Sequence, residues 1–257
     1  MSLVRLGVLM VCLARESVFG LPFVAAELEA AGSHFAEQAA TATHPLLVAH
    51  ADVHVLTRAL HEADYGAGLR CFDYLCPDGM PIVWLLRRKG ATARRLYGPD
   101  MMEVMWDKGR AAKLRHFLLG GSPEAHERMQ QRLGARFPGA EVAGMYCPPM
   151  GTWPEGENEK IISLIRKSGA NCVWVALGCP KQERWLYTHR YELPPALYFG
   201  VGAAFNFHAG LVRQAPPWVR AHGLEWLYRL CCEPRRLARR YLVHNTRFLW
   251  YCATRKI

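Results

Sequence analysis

Short, unbroken apolar runs ending in glycine, each followed by a polar stretch with helical spacing, recur through the second half of the chain. Cys172-Val173-Trp174-Val175-Ala176-Leu177 is broken by Gly178 and Pro180, and Lys181-Gln182-Glu183 opens a helix directly behind it. A run of this length with β-branched and aromatic members predicts a strand buried on both faces. His116-Phe117-Leu118-Leu119 predicts another, with Gly120-Gly121 as a tight turn and Ser122-Pro123-Glu124 as a helix start carrying a serine N-cap and a first-turn proline. Residues 141–146 and 197–202 add two strands, the second with a glycine exit. Ile161, Ile162, Leu164 and Ile165 place a helix over 158–168. This alternation predicts an α/β protein with a parallel sheet.

The first half is less regular. Residues 19–49 are rich in Ala and Glu and read as helical, interrupted at Thr41-Ala42-Thr43-His44-Pro45 and resuming through Leu46-Leu47-Val48. Residues 54–63 continue the helical pattern, and 65–68 read as a turn. Residues 71–77 predict a short strand running into Pro77-Asp78-Gly79, ahead of an apolar helix over 82–86. Asp78 there either caps that helix or presents a carboxylate at a strand end. Gly98-Pro99-Asp100 turns into a helix over 101–112. Beyond Pro216-Pro217, residues 224–232 predict one helix and Pro234 starts a second. On that second helix Leu237, Tyr241 and Phe248 share one face, and Arg235, Arg236, Arg239, Arg240 and Arg247 occupy the rest.

Charge sharpens this division. The chain has 257 residues and a formal net charge of +10. Residues 211–257 hold nine Arg and one Lys against Glu225 and Glu233, a net of +8, whereas the other 210 residues are almost neutral. We therefore expect a core over 1–210 and a basic, amphipathic helical appendage over 211–257, whose partner is anionic: phosphate, nucleic acid or an acidic bilayer. The nine cysteines are odd in number, several sit inside apolar runs, and none forms a CxxC pair, so a reduced, cytoplasmic setting is expected. The apolar stretch 6–14 is too short to span a bilayer and is expected to be a strand or core segment.

Asp78, Gly120-Gly121, Gln182 and Asn206 all fall at or just past predicted strand ends. In a parallel sheet those ends share one edge and form a crevice suited to a nucleotide. No DxD pair is present to hold a divalent cation against a diphosphate, so arginines and backbone N–H groups would have to neutralise it.

Gly178-Cys179-Pro180-Lys181-Gln182-Glu183, Gly200-Val201-Gly202-Ala203-Ala204-Phe205, Gly223-Leu224-Glu225-Trp226-Leu227-Tyr228-Arg229-Leu230 and Glu233-Pro234-Arg235-Arg236-Leu237 resemble motifs of the WecG/TagA/CpsF glycosyltransferases. Pro77-Asp78-Gly79 and Arg95-Leu96-Tyr97-Gly98-Pro99-Asp100 resemble that family's earlier motifs, and the likeness covers roughly residues 19–250. It implies a Rossmann-like core and an inverting, metal-independent transfer of a sugar from a UDP-sugar to a polyprenyl-diphosphate-linked sugar. The setting it implies is the inner face of a bacterial membrane, with the appendage closing over the site and docking at the anionic surface, and self-association left open. Asp78 resembles the family's proposed base. Gln182 would hold the donor, with Lys181 and Glu183 shaping its loop and Arg95 orienting it. Arg229, Arg236 and Arg239 would meet the diphosphate. The family's Thr-x-Asn has Thr41 and Thr43 as its counterparts here, and Asn206 stands where an Asp is often found. No cofactor beyond the UDP-sugar substrate is implied.

Two other classes fit parts of the pattern. A nucleic-acid-binding protein would use the basic tail, but the tail aromatics fall on the apolar helix face and the core has no basic stripe. A nicotinamide-dependent oxidoreductase would need GxGxxG and a suitably spaced acidic residue after Gly120-Gly121, and both are missing.

Overall fold

The computed structural model describes residues 12–255. Eight strands build one sheet: β1 (Arg15–Val18), β2 (Leu21–Val24), β3 (Leu46–Ala51), β4 (Tyr74–Pro77), β5 (Arg115–Gly120), β6 (Glu141–Tyr146), β7 (Cys172–Ala176) and β8 (Leu197–Gly200). Their order across the sheet is β1-β2-β4-β3-β8-β7-β5-β6. Only the β1–β2 hairpin is antiparallel; the remaining neighbours are parallel. Between β4 and β5 the chain crosses β3, β8 and β7 before the sheet resumes, which divides it into two halves.

Alternate side chains of each central strand enter opposite cores, as the pleat requires. Cys172 and Trp174 of β7, with Leu197 and Phe199 of β8, pack on one face against α1 (Leu28–Thr41), α5 (Gly98–Ala111), α6 (Pro123–Arg136) and α9 (Ala204–His208). Val173, Val175 and Tyr198 face the other layer, made by α2 (Val53–His61), α3 (Ala63–Leu69), α4 (Met80–Arg88), α7 (Glu157–Ser168) and α8 (Lys181–His189). Trp106, Trp174 and Phe199 are essentially fully buried, each worth about 1.5–3 kcal/mol or more of transfer free energy. Ser122 caps α6 as expected, its hydroxyl accepting from the Ala125 N–H at 3.1 Å. The tail forms α10 (Pro217–Ala221), α11 (Glu225–Cys232) and α12 (Pro234–Thr254), and α12 packs along α2.

Three expectations are corrected. Leu21–Val24, read as the start of a helical stretch, is a strand, β2, paired antiparallel with β1 and parallel to β4. Leu46-Leu47-Val48 belongs to a strand, β3, whose six residues are all buried between β4 and β8. A short apolar run with alanines carries no period that separates helix from strand; its place in the middle of the sheet decides. Residues 65–68 lie in a helix, α3, rather than a turn. Gly66 and Gly68 are there because a Cβ would collide with the Ala59 carbonyl and the Tyr187 ring, so the glycines serve close packing of α3 on α2 and α8. The expected core segment 6–14 falls largely outside the described residues; of its described part, Leu13 is buried.

Candidate active site

A cleft of about 520 Å³ opens at the carboxyl ends of β3 and β4, roofed by α11 and α12. The sequence builds its floor through local rules. The Asp78 N–H donates to the Ala51 carbonyl at 3.0 Å, continuing the β3–β4 ladder one residue past the strand and holding Asp78 at the sheet edge. Gly79 then releases the chain into α4, whose Pro81 suits a first turn. Asp52, one residue past β3, caps α2 by accepting from the Val55 N–H at 2.9 Å. Arg95 and Tyr97 come from the loop before α5, and Glu225 and Arg229 come down from α11.

These groups form one charge network. Arg95 places Nη1 2.6 Å from Glu225 Oε2 and Nη2 3.4 Å from Asp78 Oδ1, and its Nε donates to the Asp78 carbonyl. Tyr97 donates to Glu225 Oε1 at 2.8 Å and lies under the guanidinium, 3.9 Å from its carbon. Burial pushes the Asp78 carboxyl up to about 7, with Asp52 and Glu225 adding to the rise and Arg95 and Arg229 opposing it. A carboxyl in that range is suited to accept a proton near neutral pH. Asp52 goes the other way. Burial would raise it, but Arg240 at 2.9 Å and the other positive groups around it outweigh that and hold it below its usual range. Arg229 makes no ion pair with a carboxylate among the described residues, and its buried Nε has no hydrogen-bond partner. Its guanidinium stands over the Phe207 ring, 5.7 Å from the centroid, within the cleft.

The wall is apolar. Met80, Pro81, Trp84 and Leu85 from α4 face Trp226, Phe248 and Leu249 from the tail. Trp84 and Leu249, at 50% and 68% exposure, mark where this wall reaches the surface. Behind it, His244 of α12 meets Thr57 Oγ1 at 2.7 Å and packs edge-on against His54, with ring centroids 4.2 Å apart. Burial pushes His54 down to about 3 and His244 to about 4, so both rings are neutral at neutral pH.

The structure gathers Asp78, Arg95 and Arg229 in this cleft and distributes the other expected residues elsewhere. Thr41 and Thr43 lie before the first residue of β3, at the opposite edge of the sheet. Thr41 is exposed and donates to the Glu37 carbonyl at 2.9 Å, while Thr43 contacts His44. The stretch that actually adjoins Asp78 is Ala49-His50-Ala51-Asp52, because register pairs Ala51 with Pro77. Thr41 and Thr43 thus lie one strand length from Asp78.

Gly120 and Gly121 end β5 with φ of +94° and +73°, and a Cβ on Gly121 would press on Phe205. Lys181 donates to the Gly151 carbonyl at 3.1 Å and sits over the Trp153 ring. Gln182 is committed at both ends, accepting from the Gly202 N–H at 3.0 Å and donating to Glu183 at 2.7 Å. Glu183 is fully buried, and burial raises its pKa. Asn206 lies in α9, where its carbonyl accepts from Leu211 and Val212. Arg236 is exposed and pairs with Glu233, and Arg239 is exposed on the same helix; neither lines the cleft. Sequence reasoning missed Asp52, Glu225 and Arg240. The available signals were that Glu225 lies within the motif 223–230 and is one of only two acids in a strongly basic tail.

Among the described residues no group of three or more His, Cys, Asp or Glu side chains converges as a metal ion would need, and no helix is long and apolar enough to cross a membrane.

An open, mostly parallel sheet with a charged, partly apolar crevice at the carboxyl ends of its strands defines the chain as an α/β protein with its cleft where such sheets hold ligands. The sequence model of the glycosyl transferase WecG/TagA/CpsF family matches residues 16–257, and the chain belongs to that family. It is 29% identical over 223 residues to the N-acetylglucosaminyldiphosphoundecaprenol N-acetyl-beta-D-mannosaminyltransferase of Bacillus spizizenii, a match covering 85% of this chain and 84% of that protein.

Proposed function

We propose that this glycosyltransferase moves a sugar, of the N-acetylhexosamine type, from a UDP-sugar onto a sugar carried by a polyprenyl diphosphate. The product would serve cell-surface polysaccharide synthesis. The Bacillus relative acts, by its name, on an acceptor of this chemistry. The observation that carries the reading is the amphipathic cleft: a carboxyl pushed up to about 7 at its floor and a guanidinium free of any carboxylate partner among the described residues coming from its roof, with an apolar wall leading to the surface. A sugar needs the first, a diphosphate the second, and a prenyl chain the third.

In this mechanism the acceptor hydroxyl gives its proton to Asp78 as its oxygen attacks the donor's anomeric carbon, and the bond to the UDP oxygen breaks from the opposite side, inverting the centre. The negative charge left on UDP is met by the arginines of the cleft, without a divalent cation. The exposed Trp84 of α4, with Leu249 and Trp250 of the arginine-bearing α12, rests on an anionic membrane surface from which the acceptor enters.

The test is transfer itself. Purified protein, a panel of UDP-sugars and polyprenyl-diphosphate-linked N-acetylglucosamine should yield UDP and an extended lipid, with an undiminished rate in EDTA. Loss of the rate in EDTA with recovery in manganese would overturn the metal-free mechanism; no transfer from any UDP-sugar would overturn the reaction.

A further inference from the structure

The tail brings the cleft a carboxylate as well as a cation. Glu225, the first residue of α11, is buried with its Oε2 2.6 Å from Arg95 Nη1 and its Oε1 accepting from Tyr97 at 2.8 Å. The other terminal nitrogen of Arg95 stands 3.4 Å from Asp78 Oδ1. One guanidinium thus lies between two carboxylates, one from a strand end and one from a helix 147 residues later in the chain, and of the two its closer contact is with the later one. An arginine committed to a single carboxylate makes that group a weak base. An arginine shared with a second carboxylate does so much less.

We infer that Glu225 is a positioning residue for Asp78: by engaging Arg95 it keeps that guanidinium from neutralising Asp78 alone, so Asp78 remains a proton acceptor while the tail is docked. This rests on the reading of Asp78 as the base. The charged and titratable groups facing Asp78 are Asp52 from the end of β3, Arg95 and Tyr97 from the loop before α5, Glu225 and Arg229 from α11, and Cys76 on its own strand. Removing the Glu225 charge acts on Asp78 in one direction through two routes. A neighbouring negative charge disappears, and Arg95 is released to pair with Asp78. Both favour the ionised carboxylate.

The experiment follows kcat/KM against pH for the full-length wild type, Glu225→Gln and Glu225→Asp, using a UDP-sugar and a polyprenyl-diphosphate-linked acceptor. In parallel, the Asp78 carboxyl is titrated by ¹³C NMR of the same proteins, with Asp78→Asn providing the assignment. The acid limb of the Glu225→Gln profile should move to lower pH by about one pH unit, and that of Glu225→Asp, whose carboxylate is drawn back by one methylene, by less. The Asp78 carbon signal should shift with them. A merely structural role would lower the rate and leave both the limb and the titration in place, and that result overturns the inference. If Glu225→Gln does not fold, Glu225→Asp decides by the same two readouts. If the wild type transfers no sugar, the functional reading falls while the NMR titration still decides the electrostatic relation.

Discussion

Two carboxyl groups sit at the same edge of the sheet, both with raised pKa, and they have opposite fates. Asp78, past β4, keeps 22% of its side chain exposed, opens into a cleft and shares an arginine. Glu183, at the start of α8, is 0% exposed, has no cation against it among the described residues and holds Gln182, which in turn holds the Gly202 turn. Burial is the leading cause of the shift in both. What separates them is access. Asp78 can exchange its proton with a bound molecule, whereas the Glu183 carboxyl is enclosed and accepts from Gln182, which fixes the exit of β8. A perturbed carboxyl becomes a site only where solvent and substrate can reach it.

Asp78→Asn should break this comparison most. Transfer should fall by about 10²–10⁴-fold with the fold retained, since the proton acceptor is gone. The same variant tests the electrostatics. The folded carboxyl titrates at about 7 and an unfolded one near 4. The folded protein therefore loses stability through this group as pH rises across that interval. The asparagine variant has no such loss, so its advantage in Tm over wild type should grow from about pH 5 to about pH 8. A constant difference would show that Asp78 is not perturbed.

Next in size is Arg229→Ala. Loss of a charge-assisted contact to a diphosphate is worth about 1.5–3 kcal/mol, which lowers kcat/KM by about 10- to 100-fold; initial rates at donor concentrations well below KM read it out. Smallest is Glu183→Gln. The amide still accepts from Gln182 Nε2, so the rate should stay within a few-fold of wild type and its acid limb should not move. A collapse as deep as that of Asp78→Asn would give Glu183 a chemical role and erase the distinction drawn here.

The second half of the sheet was legible because each βα unit there is self-contained. Residues 172–189 carry strand, glycine break and helix start in eighteen consecutive positions, and β5 through α8 appear where the pattern puts them. The first half hid β3, because a central strand flanked by parallel neighbours needs no alternation and alanines serve helix and strand alike. It hid α3 for a related reason: Gly66 and Gly68 mark a close helix contact, and glycine in sequence looks the same whether it bends a chain or lets two elements meet.

The site shows the same limit. Asp78 and Arg95 were readable from short motifs, and the positive tail from composition. Of the tail arginines, only the fold distinguishes Arg229, which enters the cleft, and Arg240, which caps its charge on Asp52, from Arg236, which pairs with its own helix neighbour. Sequence alone determined the alternating elements, the motifs of a glycosyltransferase family and a division of charge between core and tail, since these depend on neighbouring residues. The tertiary structure alone decided which charges meet. Coulomb interaction and burial act through distances of a few ångströms, and α11 brings Glu225 within that range of Arg95 only when the chain has closed on itself.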